Sequence, residues 1–191
     1  MNALAAEKGH AIVRGLISDM EAASWFAAVG EPPTKGETTT ALAYLKGLGF
    51  SDCALFWIAD WAEARAAAER SDWSQRWWQR EQTVQSELYA AAMNHLGDAR
   101  LLPLLTEITD SATRLLHGPA AVAAARSGHA DAGIIRAAAG SAAQSCYQMA
   151  LYALAPHAKQ DGQDHPFVSK FRLFEAGRWP LTIAANTFHI F

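Results

Sequence analysis

The chain has only two cysteines, Cys53 and Cys146, far apart and outside any C-x-x-C spacing. That excludes a disulfide framework and a thiolate zinc site. Charge is scarce too: 18% of residues are Asp, Glu, Lys or Arg, and they sum to −3. A nucleic-acid binder needs a basic footprint, so that class is not expected. A disordered chain held open by its own charge is not expected either. The start, Met1-Asn2-Ala3-Leu4-Ala5-Ala6-Glu7-Lys8, lacks a basic segment followed by an apolar one. No secretory leader is therefore read there, and the cytoplasm is the expected setting.

The standard catalytic signatures are missing as well. There is no phosphate-cradling G-x-x-x-x-G-K-[ST], no G-x-G-x-x-G, no H-E-x-x-H and no G-x-S-x-G. The paired E-x-x-H of a di-iron bundle is absent. The histidines His10, His95, His117, His129, His157, His165 and His189 never recur at i+3 or i+4. The nearest approaches to metal-ligand spacing, His129-x-Asp131 and Asp161-x-x-x-His165, read as capping and loop residues. No metal and no cofactor are expected.

What the chain does have favours helix. Alanine makes up about a fifth of it. Five of the seven tryptophans fall between Trp57 and Trp78, each with a large apolar area and one donor. The 191 residues fit a single helical domain, 1–191. Within it, residues 156–191 form a loop, a short helix and a strip packed on the bundle.

Punctuation then places the elements. Residues 11–17 read either as a short strand or as a helical lead-in. Ser18-Asp19-Met20-Glu21 fits a capping box opening a helix to about Val29, stopped by Gly30 and Pro32-Pro33. Thr34-Lys35-Gly36-Glu37 opens another, to about Leu48. Ser51 or Asp52 caps a helix to about Arg70, on which Trp57 and Trp61 form an i, i+4 pair. Ser71 or Asp72 opens a long helix to about Leu96, with Trp77, Val84, Leu88, Ala91 and His95 on one stripe. Asp98 caps a further helix that Gly118-Pro119 breaks, and a short helix covers 119–126. The last long helix runs from about Asp131 to Ala155. Pro166 opens an amphipathic turn carrying Phe167, Phe171 and Phe174, ended by Gly177. Leu181 to Phe191 is an apolar strip, either strand or extended, with residues 11–17 as its candidate strand partner. The fold class is mainly α: a compact bundle of six or seven helices with an apolar extended or short β strip at the C-terminus.

The most informative segment is 137–158, twenty-two successive residues without Asp, Glu, Lys or Arg. It holds Ser141, Gln144, Ser145 and Gln148, so it reads as the central helix of a bundle and not as a membrane span. Ser141, Ser145, Gln148 and Tyr152 form an uncharged polar stripe at helical spacing. The stripe is an internal hydrogen-bond network, one wall of a ligand pocket, or a partner face. Cys146, on another side, reads as packing.

Two groups of residues stand out as candidates. His95, Gln144, Gln148, Tyr152 and Arg178 are the polar groups a pocket inside the bundle would use. Arg178 reads either as part of a clasp holding the tail, paired with Glu175, or as a planar fork for an anion. Arg76 with an exposed Trp78 would form a partner-binding anchor, since Trp and Arg dominate interface hot spots.

The functional expectation is a non-catalytic, cytoplasmic protein-binding module of the neutraliser or assembly-factor type. The alternative is a small-molecule binder or metal-independent enzyme with a pocket inside the bundle. Self-association through the C-terminal strip is compatible with either.

Overall fold

The structure is a computed structural model and describes residues 2–128, 131–156 and 165–191. His129, His157 and Asp161, and with them both metal-like spacings and the 157–164 loop, lie outside the described residues. In chain order the elements are α1 Asn2–Ala22, α2 Lys35–Leu48, β1 Ala54–Trp57, α3 Trp61–Ala68, α4 Gln75–Leu96, α5 Asp98–Arg126, α6 Ala132–Leu154, α7 Pro166–Glu175, β2 Pro180–Ala184 and β3 Thr187–Ile190. Among the described residues this is a mainly helical bundle of seven helices with a small three-stranded sheet. No helix among them is long and apolar enough to cross a membrane.

α6 sits where its lack of charge requires. It packs against α1, α4, α5 and α7, so a charged side chain would find little water on most of its circumference. Asp131 caps it, accepting from the backbone N–H groups of Gly133 (2.7 Å) and Ile134 (3.0 Å). α2 starts at the expected box: Thr34 Oγ1 accepts from the Glu37 N–H, and Glu37 Oε2 accepts from the Thr34 N–H at 2.6 Å. α7 begins at Pro166, where a missing N–H costs nothing, and buries Phe167, Phe171 and Phe174.

Three sequence expectations are corrected. Residues 11–17 take the helical one of their two readings, inside α1, and the Ser18 box lies within that helix instead of opening one. Val13, Leu16 and Met20 are buried at continuous helical spacing, and that apolar stripe outweighs the local capping signal. α5 passes through Gly118-Pro119 instead of breaking. An interior proline costs about 3 kcal/mol or more, but Leu116, Ala120, Ala123 and Ala124 stay in phase and buried on both sides of it. The helix expected over 51–70 is split into β1 and α3, with Asp60 as the α3 cap. Trp57 is therefore on a strand and Trp61 on a helix. A four-residue apolar run carries no period that separates strand from helix.

The partner of the C-terminal strip is thus β1. The sheet order is β1-β3-β2: β1 runs parallel to β3 and β2 antiparallel to it. β2 and β3 are joined by Ala185 and Asn186, both left-handed (φ 46° and 57°), as a tight two-residue hairpin turn demands. Asn186 ties the turn to the entry of β1: its Nδ2 donates to the Asp52 carbonyl (3.1 Å), and its Oδ1 accepts from the Cys53 thiol (3.2 Å). The strip buries Trp179, Ile183, Phe188, Ile190 and Phe191 within its own chain, so these side chains do not offer a self-association face.

Candidate functional site

Strand alternation gives the sheet two faces. Phe188 and Ile190 of β3 turn into the core, while Thr187 and His189 are half-buried on the other side. The register sets Phe56 of β1 opposite His189. Phe56 is 44% exposed, and its ring lies 5.4 Å from the His189 imidazole. Burial and the nearby Arg70 hold the His189 pKa below the usual imidazole value, with Asp72 opposing them. Arg70 and Asp72 themselves form an ion pair at 2.6 Å. Beyond β2 the chain passes through Trp73, which bridges Ala184, and Ser74, whose N–H donates to the Ile183 carbonyl.

That hydrogen bond anchors the start of α4. Ser74 caps the helix through the Trp77 N–H. Successive residues on a helix point about 100° apart, so the two tryptophans of the first turns diverge. Trp77 is buried and donates through Nε1 to the Tyr44 hydroxyl (2.7 Å), whereas Trp78 is 51% exposed. Arg76 and Arg80 are exposed too. The Arg76 guanidinium lies over the Phe50 ring at 5.3 Å. Neither arginine has an ion-pair partner among the described residues, and no acidic residue occupies the first turn of α4. Arg76, in the first turn, thus adds positive charge to the positive end of the helix dipole. Phe56 lies on the edge strand β1, Trp73 beside β2, and Arg76 and Trp78 in the first turn of α4.

The five candidate pocket residues make separate contacts. Gln144 and Gln148 do meet: both side-chain amides donate to Gln85 Oε1 on α4, at 2.6 and 3.2 Å. His95 is exposed; the buried stripe of α4 is Trp77, Glu81, Val84, Leu88, Ala92 and Leu96. Tyr152 stacks on His165, with ring centroids 4.7 Å apart. Arg178 is held elsewhere. Its Nε and Nη2 donate to the two Glu37 carboxylate oxygens (2.9 and 3.2 Å), Nη1 to the Ala28 and Glu31 carbonyls, and Nη2 also to the Pro32 carbonyl. The expected Glu175 pairing is corrected. Gly177, at φ 84°, reverses the chain after α7 and directs Arg178 to the 28–37 segment. With its donors so engaged, Arg178 has no fork to offer an anion.

Sequence reasoning missed a second buried charge cluster. Glu81 and Lys170, each 5% exposed, pair at 2.7 Å, and Tyr44 donates to the same carboxylate oxygen at 2.8 Å. Burial and the Glu81 charge push the Tyr44 phenol well above its usual pKa. The signal was present: Glu81 lies four residues after Trp77 and three before Val84, and Lys170 lies between Phe167 and Phe174. Both therefore fall on apolar stripes.

Cys146 is buried and His165 half-buried. Burial pushes the Cys146 thiol up to about 12 and the His165 imidazole down to about 4. No group of three or more His, Cys, Asp or Glu able to hold a metal occurs among the described residues.

A cleft of about 300 Å³ opens at the surface between α3, α6 and β2. Its walls include Ala68, Ala137 and Ser141, and Trp179 and Thr182 also line it. No family model, no curated protein and no solved structure matches this chain.

Proposed function

We propose that this chain is a non-catalytic protein-binding module whose contact surface is the patch of Phe56, Trp73, Arg76 and Trp78. The observation that carries the reading is the exposure of three large aromatic side chains, at 44%, 40% and 51%, two of which, Trp73 and Trp78, lie within three residues of Arg76, an exposed arginine without an ion-pair partner among the described residues. An isolated exposed aromatic is ordinary. Several beside arginines without counter-charges match the composition of interface hot spots. The partner chemistry that suits them is an acidic surface with an apolar centre, whose carboxylates would supply the charge α4 lacks at its start. The cytoplasm is the setting we assign, in keeping with two free, buried thiols. No reaction is assigned, because the charged clusters centred on Arg178 and Glu81 are closed by the protein's own groups.

The test is affinity purification from the native host with wild-type chain and with Trp78→Ser and Arg76→Glu. Circular dichroism would confirm that the variants fold. A stoichiometric partner should be held by the wild type and bound roughly thirtyfold more weakly by Trp78→Ser, the effect of losing one hot-spot residue. A partner held equally by all three proteins, or none at all, would remove this reading.

A further inference from the structure

We infer that the outer edge of β1 docks an extended segment of another protein, which joins the sheet as an antiparallel strand. The segment is a short run of β-branched or aromatic residues with Lys or Arg at its N-terminal end. The inference shares Phe56 with the protein-binding reading and needs neither Trp78 nor Arg76, because it rests on backbone groups.

The argument starts from the ladder. β3 is the central strand, so β1 and β2 each have an outer edge. The edge of β2 is covered: Trp73 bridges Ala184, and the Ser74 N–H donates to the Ile183 carbonyl. β1 has no such cover among the described residues, where its main contacts are with β3. The register shows which groups are left over. The Ala54 N–H donates to the Asn186 carbonyl and the Ile58 N–H to the Ile190 carbonyl. Phe56 lies between them in the same parallel ladder. Backbone groups of successive strand residues point to opposite edges. Leu55 and Trp57 therefore turn their N–H and C=O groups outward, without a hydrogen-bond partner among the described residues. Donors and acceptors two residues apart along an edge are what an extended peptide matches in strand addition.

Side chains agree with this. Natural edge strands are commonly defended by Lys, Pro, a bulge or an inward charge. The run Ala54-Leu55-Phe56-Trp57 carries none of these; its defence is its length of four residues. Phe56 is 44% exposed on the outer face of the sheet, and Leu55 and Trp57 are half-buried on the inner one. An added strand thus meets apolar surface on both faces, which suits β-branched and aromatic residues.

Charge selects the occupant. Asp52 and Asp60 bound the β1 run, and both are exposed. At the entry, Arg76 and Asp52 act on the Cys53 thiol in opposite directions, so that end is balanced. At the exit, Glu63 adds to Asp60: it is exposed and accepts the Ala59 N–H at 3.0 Å. Neither carboxylate has an ion-pair partner among the described residues. Antiparallel pairing is the slightly more stable kind, and it brings the N-terminal end of the added strand to this acidic exit. A basic residue there completes the match. A second copy of the chain fits less well: antiparallel pairing of two β1 strands about Phe56 sets Asp52 of one copy opposite Asp60 of the other, and like charges directly opposite are destabilising.

The experiment follows amide hydrogen exchange by NMR in the full, ¹⁵N-labelled chain. In the free protein the Leu55 and Trp57 amides should exchange fast, and those of Phe56 and Ile58 slowly. The probe is the capped peptide Lys-Val-Thr-Val-Thr-Val at millimolar concentration. It should slow Leu55 and Trp57 exchange saturably. Exchanging its Lys for Glu should weaken binding roughly two- to fivefold, the worth of one exposed ion pair. N-methylation of alternate peptide residues should abolish binding in one phase and spare it in the other. Leu55→Pro removes an outward donor and leaves the ladder intact, as edge strands allow. It should abolish peptide binding while Phe56 and Ile58 stay protected. Phe56→Lys, at an exposed position, is the second variant and should weaken binding as well. The inference is overturned if Leu55 and Trp57 are already protected in the dilute free chain, or if the peptide fails to slow them. It is also overturned if their protection rises with the chain's own concentration, which would make the occupant a second copy. A failed affinity purification leaves this measurement standing, because its readout is two amides and not a captured protein.

Discussion

Arg178 is the side chain whose removal the fold should tolerate least. Its side chain is 3% exposed and that of its partner Glu37 12%. Arg178→Ala deletes both hydrogen bonds to the Glu37 carboxylate, those to the Ala28, Glu31 and Pro32 carbonyls, and a stacking contact over Trp57 at 5.5 Å. These losses differ in weight. Glu31 and Pro32 are exposed, so water can take over at their carbonyls and little is lost. The carboxylate is the expensive remainder, since breaking a buried pair from one side costs about 3–5 kcal/mol. For a chain of this size that corresponds to a fall in Tm of roughly 6–20 °C. The variant should also respond differently to acid. In the wild type, burial raises the Glu37 pKa, but hydrogen bonds from Arg178 and Thr34 outweigh it and hold the value below that of a free carboxyl. A depressed carboxyl pKa contributes stability that is present above the unfolded-state value and is lost as pH falls through the folded one. Without Arg178, burial remains while the strongest opposing partner is gone. The difference between the two proteins should therefore be largest near neutral pH and shrink towards pH 4. Arg178→Ala/Glu37→Gln, which removes the stranded charge, should be more stable than Arg178→Ala alone. Urea unfolding followed by far-UV circular dichroism measures all three proteins. An Arg178→Ala variant within about 1 kcal/mol of wild type, below the range for a broken buried pair, would refute this reasoning. So would a double variant no more stable than the single one.

Two further outcomes follow from buried titratable groups. His165 caps α7 by accepting the Phe167 N–H at Nδ1 (3.2 Å), and burial lowers its pKa to about 4. The unfolded chain, with an ordinary imidazole, takes up a proton first as pH falls, so stability should decline from about pH 6.5 to pH 4. His165→Asn keeps a capping oxygen without titrating and should flatten that decline in urea melts at stepped pH. A residual slope from His189, whose pKa is also depressed, is expected, but identical slopes in the two proteins would contradict the assignment. Thiol counting is the second test: Cys53 and Cys146 are both buried with raised pKa values, and the thiolate is the reactive form. Neither should react quickly with a disulfide reagent in the native chain, and both should react in denaturant; a fast native thiol would be inconsistent with this burial.

What the sequence revealed and what it hid divide along physical lines. Signals that act within one turn were legible: the Thr34-Glu37 box, the Asp131 cap, Pro166 opening α7 and Gly177 closing it. The uncharged 137–158 run located a helix packed against α1, α4, α5 and α7, because a helix packed on many sides leaves no room for charge. Local signals misled where a longer pattern overrode them, as at Ser18 within α1 and Pro119 within α5. β1 was hidden for a different reason. Four apolar residues become a strand only because β3, more than a hundred residues later, supplies the ladder.

The same division explains the site residues. Whether a tryptophan faces solvent is set by helix phase, so Trp77 and Trp78 could be separated as pointing different ways before any partner was known. Which carboxylate receives Arg178 is set by topology: Glu37 lies 141 positions away, and Glu81 lies 89 from Lys170. Nearest-neighbour pairing favoured Glu175, which needed no fold to reach Arg178. The fold instead places both buried cations against carboxylates on α2 and α4, tying the last third of the chain to elements made before it. A charged residue in phase with an apolar stripe thus announces a buried partner without naming it. The exposed arginines of α4 present the opposite case: they are out of phase with the core and lack an internal carboxylate, and that leaves their counter-charge to be supplied by another molecule.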